Sequence, residues 1–168
     1  MRFLRSFMIL CPAFILLKIC YYKFMKLNAD NLENAYGTLL KCYLDYKKNK
    51  TSHLAEYIED SCIKRFEYTL ETAWKLMKKI LIYEYGKNDE ELSMNNIFRL
   101  MQGYLFIKDW QKWRSYYGYR NTTAHEYNLE KSRALIEIIP NFMEDVEFFI
   151  NKFKEKINGY KNVRNKPG

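Results

Sequence analysis

The sequence predicts an all-α protein. Apolar side chains recur at steps of three and four residues from Leu32 to Phe153, and no stretch shows the two-residue alternation of a strand. Breakers are scarce, with three prolines and six glycines in 168 residues. The chain is 48% apolar, and its length suits one domain with a single sizeable core.

The first helix is expected over residues 28–49, with Leu32, Ala35, Tyr36, Leu39, Leu40, Tyr43 and Leu44 as its inward stripe. Asp30 or Asn31 suits its N-cap, and Lys47, Lys48 and Lys50 suit its negative end. After a polar link at Thr51 and Ser52, the longest helix is expected over 54–85. Ile58, Cys62, Phe66, Leu70, Ala73, Met77 and Ile80 step along one face, Trp74 and Leu81 widen it, and Gly86 ends it. His53 enters this helix with no acidic or cysteine partner at ligand spacing, which gives it a surface or capping role.

Ser93 starts a shorter helix through Ile97, Leu100 and Met101 to about Phe106. Asp109 can cap a fourth helix, whose stripe is Trp110, Trp113, Tyr117, Arg120, Ala124 and Tyr127. Gly118 and the pair Thr122-Thr123 weaken this helix, so a bend near its end is expected. The last helix runs over 130–158 with Leu135, Ile138, Ile139, Phe142, Val146, Phe149, Ile150 and Phe153 inward and a kink at Pro140. Residues 159–168 read as a basic tail.

Half of the formal net charge of +8 comes from Arg2, Arg5, Lys18 and Lys23, which share residues 1–24 with no acid. The remaining chain is mildly basic, compatible with RNA or an acidic partner but demanding neither. Residues 1–24 form an apolar N-terminal extension with three readings. Ser6 to Leu17 looks like a signal-peptide core, yet no small-x-small cleavage site follows it. The run is short for a membrane span and broken by Pro12. The favoured reading starts translation at Met25 and leaves 25–158 as the folded domain.

Cys11, Cys20, Cys42 and Cys62 show no C-x-x-C spacing, and too few histidines are present to complete a zinc site. Buried reduced thiols are the favoured state, with a disulfide as the minority alternative. No glycine-rich phosphate loop and no carboxylate cluster of metal-binding type appears, so neither cofactor nor metal is expected. The many aromatics sit mostly on the helical stripes, which suits core packing better than base stacking.

The stretch Arg120-Asn-Thr-Thr-Ala-His125-Glu-Tyr127 carries the chemistry. Arginine clamps a phosphate through a planar fork of donors, and histidine exchanges a proton near neutral pH. Together they suffice to cleave RNA at its 2′-hydroxyl without a metal. His125 would take the proton from the hydroxyl, and Arg120 would stabilise charge gathering on the phosphoryl oxygens. Asn121, one turn before His125, would orient the ring or bind phosphate. On an unbroken helix Arg120 and His125 point about 140° apart, so a cleft between two protomers is the more natural site. In the plainer reading, Arg120 and His125 make polar contacts at an interface, Tyr127 lies in the core, and Glu67 and Glu71 form a solvated or interface face.

Two separated stretches resemble a known family. Arg65-Phe-Glu-Tyr-Thr-Leu-Glu-Thr-Ala-Trp74-Lys75 is similar to the second-helix signature of nucleotidyltransferase substrate-binding proteins, small members of the HEPN superfamily. Trp113, Arg120-Asn121, His125 and Tyr127 resemble that family's W-x6-RN-x3-H-x-Y segment, and Pro140 also suits its pattern. The similarity covers about residues 26–158, while Gly118 and Tyr116-Tyr117 depart from the pattern. The resemblance implies an antiparallel up-and-down bundle of four or five helices that forms a homodimer. It implies a separately encoded minimal nucleotidyltransferase as partner and antitoxin. The chain would then be a cytoplasmic, metal-independent endoribonuclease toxin acting on RNA, with no stable membrane association. Silencing would come by AMPylation of Tyr127. The catalytic set would be Arg120, Asn121 and His125. The alternative is a non-catalytic subunit that holds the nucleotidyltransferase or presents a substrate to it. The dimer would form through the fourth-helix face bearing Trp110, Trp113 and Tyr117.

Overall fold

In the computed structural model the backbone is described for residues 27–123 and 129–164, and side chains for 27–121 and 133–159. Among the described residues there are five α-helices and no strand. They are α1 (Asp30–Lys48), α2 (Ala55–Tyr85), α3 (Met94–Gly103), α4 (Trp110–Thr123) and α5 (Leu129–Arg164), with a 3-10 turn at Asp89–Glu91 before α3. The expected all-α class is therefore observed, and the element starts fall within two residues of those read from periodicity.

Side-chain pairings set the directions. Lys154 of α5 meets Glu33 of α1 at 2.7 Å, and Tyr116 of α4 meets Asp145 of α5 at 2.7 Å. Lys156 near the end of α5 approaches Glu84 near the end of α2 at 4.0 Å. α2 and α5, the two longest helices, thus run parallel through the centre, while α1 and α4 run antiparallel to them. Apolar faces from all five helices close one core. Phe66 packs edge-on against Phe142 at 4.6 Å between ring centroids, and Trp113 lies within 6.2 Å of Phe98, Tyr116, Phe142 and Phe149.

The helix ends show where local chemistry acted. Asp109 Oδ1 accepts from the Gln111 amide at 2.8 Å and the Lys112 amide at 3.4 Å, the expected cap of α4. Ser93 accepts from the Asn96 amide at the start of α3. Gly86, at φ 62°, ends α2. The cap expected from Asp30 or Asn31 is not made: Ala29 holds the N-cap position of α1 without a side-chain bond. Asp30 instead joins Glu33 in the first turn, where negative charge suits the helix dipole.

α3 stops at Gly103 rather than near Phe106. The Phe106 amide donates to Met101 O at 3.0 Å and the Leu105 amide to Gln102 O at 2.9 Å, with Leu105 in the left-handed region at φ 62°. This is the Schellman arrangement, with leucine at a position that favours glycine. α5 continues through Pro140, where the missing N–H removes one rung of its ladder. Leu44, expected inside, is 47% exposed, because Cys42 takes the inward position after Leu39.

Candidate ribonuclease site

The site is built on the end of α4. Asp109 starts this helix, and its register places Trp113, Tyr116 and Arg120 at steps of three and four residues. Trp113 is 1% exposed and fixes the helix against α3 and α5. One turn later the Tyr116 hydroxyl donates to Asp145 Oδ2, both residues being buried. Burial raises the Tyr116 phenol well above its ordinary range, with the Asp145 carboxylate acting in the same direction. The next turn carries Arg120. A tryptophan seven residues ahead of the arginine is therefore the anchor that sets the arginine's direction.

Arg120 is half-buried, and its Nη1 donates to Asn121 Oδ1 at 3.3 Å. Glu71 of α2 lies close enough to feel its charge. The Glu71 carboxyl is held below the usual carboxylate range, first by the hydrogen bond from Lys75 Nζ at 2.5 Å and further by the positive charges of Lys75 and Arg120. The structure thus sets Arg120 beside Asn121 and within range of the Glu71 charge, while Lys75 pairs with Glu71. His125 and Tyr127 lie outside the described residues.

From sequence alone Glu71 is read, with Glu67, as part of a solvated or interface face, and Lys75 only as a member of the second-helix stretch. The signal was present, since both belong to the second-helix stretch Arg65–Lys75. What that stretch could not reveal is which of its polar members faces α4. Its inward members serve packing. Phe66, Leu70 and Ala73 are buried, and Thr69, at 0% exposure, donates to Arg65 O at 2.7 Å.

The expected dimer face is corrected by the same geometry. Trp113 is spent on the core, and Trp110 is half-buried with the Arg99 guanidinium carbon 4.4 Å from its ring centroid. Trp110, Trp113 and Tyr117 therefore do not form an open face. His53 is exposed, in keeping with a surface role. Cys42 and Cys62 are buried free thiols, the favoured expectation.

Among the described residues no group of three or more histidine, cysteine or acidic side chains is placed to hold a metal. No described helix is long and apolar enough to cross a membrane. A hollow of about 600 Å³ lies beside the start of α5, lined among others by Glu56, Glu59, Asp60, Glu137, Lys50 and Arg133. Acids outnumber bases there. Burial raises the Glu59 carboxyl, Arg133 opposes that, and Asp60 and Glu56 add to it. Such a wall repels phosphate and other anions.

The sequence pattern of the family described as "Nucleotidyltransferase substrate binding protein like" matches residues 27–155. The chain belongs to that family. This substrate-binding family includes members of the HEPN superfamily, and the all-helical fold agrees with it. A curated relative, "Probable ribonuclease HepT" of Haemophilus influenzae, is 25% identical over 138 residues, covering 78% of this chain and 94% of that protein. The solved structure of HI0074, also from Haemophilus influenzae, is described as the fold of a substrate binding domain of a nucleotidyltransferase. It superposes with a TM-score of 0.68 at 23% identity, over 76% of this chain and 99% of that one.

Proposed function

We propose that this chain is a metal-independent endoribonuclease toxin, partnered and silenced by a minimal nucleotidyltransferase. The observation that carries the reading is the presentation of Arg120. Its helix is pinned by Trp113 and Tyr116, while the guanidinium is kept at the end of α4 beside Asn121 and within range of the Glu71 charge. A guanidinium needed only for packing does not require a side-chain amide partner and a carboxylate charge within range at the helix end.

His125 takes the proton from an RNA 2′-hydroxyl, and the oxygen attacks the adjacent phosphorus. The bond to the 5′-oxygen breaks, leaving a 2′,3′-cyclic phosphate and a 5′-hydroxyl. Arg120 stabilises the charge on the non-bridging oxygens, and Asn121 orients the guanidinium through the bond between them. A second protomer closes the cleft and supplies the second Arg/His motif. Tyr127 lies two residues past His125 and seven past Arg120 in the sequence, so an AMP group on it brings bulk and negative charge to the same motif and blocks RNA.

The curated relative named as a ribonuclease supports this reading. The description of HI0074 as a substrate binding domain favours the second reading, a non-catalytic subunit that presents a substrate to the nucleotidyltransferase. Expression of the chain without its partner separates them. Growth arrest relieved by Arg120→Ala or His125→Ala supports the nuclease, and equal effects of wild type and both variants at equal soluble levels favour the subunit. Incubation with the partner, ATP and Mg²⁺ should add AMP mass to Tyr127 and not to a folded Tyr127→Phe variant. Absence of the adduct from the wild type removes the regulatory role.

A further inference from the structure

We propose that Cys42 and Cys62 form a reversible oxidation site, at which a hydroperoxide converts the thiol pair into a disulfide that fastens α1 to α2.

The two cysteines come from different helices, and the Cys62 thiol donates to Cys42 Sγ at 3.0 Å. Both are free thiols. Sulfurs in that contact lie about 1 Å beyond bonding distance, so a small approach of the two side chains joins them. Nothing of the kind holds for an isolated buried cysteine, which has no second sulfur within reach.

The pair has an entrance on one side only. Cys62 is fully buried, whereas Cys42 lines a groove of about 580 Å³ between α1 and α2. Ser61 and Arg65 line the same groove. Arg65 donates from Nη1 to Ser61 Oγ at 2.6 Å, while its Nε is buried with no hydrogen-bond partner among the described residues. A cation therefore lines the groove that a small oxidant would enter. It suits the anion that leaves when a peroxide bond breaks.

The surroundings divide the labour between the two sulfurs. Burial pushes the Cys62 thiol up, its contact with Cys42 acts in the same direction, and the Arg65 charge opposes them. Cys62 accordingly remains a thiol until its partner has reacted, and Cys42, at the groove, is the attacking sulfur. The Cys42 thiolate attacks one oxygen of the hydroperoxide, the O–O bond breaks, and the departing oxide is protonated. The product is a sulfenic acid on Cys42. Cys62 Sγ then attacks Cys42 Sγ, the S–O bond breaks, and hydroxide leaves with the Cys62 proton as water. Two thiols have been oxidised by two electrons and one peroxide bond reduced.

The test uses the full chain and hydrogen peroxide, with peptide mapping under non-reducing conditions. The expected product is lighter by two hydrogen atoms, links the Cys42 and Cys62 peptides, and returns to two thiols with dithiothreitol. A Cys62→Ser variant should stop at the Cys42 sulfenic acid and take up dimedone there, while Cys42→Ser should leave Cys62 unlabelled. Recovery of Cys42 and Cys62 as free thiols while Cys11 or Cys20 oxidises would overturn the proposal. So would linkage of Cys42 to Cys11 or Cys20. The wild-type map decides the matter even where a serine variant fails to fold.

Discussion

Tyr116→Phe removes one oxygen atom from the centre of the molecule, and its cost can be worked from the contacts. Tyr116 is 4% exposed and Asp145 7% exposed, and the hydroxyl donates to Oδ2 at 2.7 Å. The ring itself stays in place against Phe142 at 5.1 Å and Trp113 at 6.1 Å, so no cavity opens. What is lost is a hydrogen bond to a carboxylate, about 1.5–3 kcal/mol, because Asp145 is left in the interior without that donor. At about 2–4 °C per kcal/mol for a chain of this size, the thermal midpoint should fall by roughly 3–12 °C. Denaturant unfolding followed by circular dichroism measures the same loss. Tyr57→Phe is the control, since Tyr57 is 74% exposed and its change should stay within about 0.5 kcal/mol. The double variant Tyr116→Phe/Asp145→Leu should recover most of the loss, as both polar partners then leave together. A Tyr116→Phe variant as stable as the Tyr57→Phe control would refute the claim that this bond anchors α4 to α5.

Stability should fall as pH rises from about 10 to about 12. Burial raises Tyr85 from its ordinary value to about 12 and raises Tyr116 as well, so the folded chain keeps protons that the unfolded chain releases. That contribution is fully present below pH ~10 and disappears above it, and Tyr116→Phe should flatten the alkaline limb in urea titrations at stepped pH. Leu105→Gly should stabilise the chain by up to about 1 kcal/mol, since Leu105 holds φ 62° with its side chain 75% exposed and little packing to lose; a lower denaturation midpoint would contradict the strain. Glu71→Gln should reduce kcat/KM for RNA by about two- to five-fold, the range for an exposed charge pair, with the deficit shrinking in high salt. An unchanged rate at low salt would show that Glu71 does not position Arg120.

The helices were legible because each buries a stripe, and burial writes itself into spacing. Phe66, Leu70, Ala73, Met77 and Ile80 are all at or near zero exposure along α2, as their periodicity implied. Ends were legible where one side chain determines them, as Asp109 and Gly86 do. They were misread where the backbone closes on itself, as at Leu105, whose left-handed turn has no sequence marker comparable to glycine. The site was legible as a string of residue types and not as a neighbourhood. Arg120 and Asn121 stand side by side as their order suggests, but Glu71 lies 49 positions earlier in the chain and reaches Arg120 only through the packing of α2 against α4. Trp113 has two readings, a packing residue on its helical stripe and a member of a dimer face, and its aromatic bulk at the centre of the core bears out the first.

The most direct test of the account is cleavage of a defined RNA by the purified full chain in the presence of a metal chelator. The account predicts fragments ending in a 2′,3′-cyclic phosphate and a 5′-hydroxyl. Arg120→Ala and His125→Ala, folded to wild-type extent by circular dichroism, should each lower the rate by about 10²-fold or more, the contribution expected of one positioned acid–base or oxyanion group. Cleavage that persists equally in both variants, or that yields 3′-hydroxyl ends and requires a divalent cation, would contradict it.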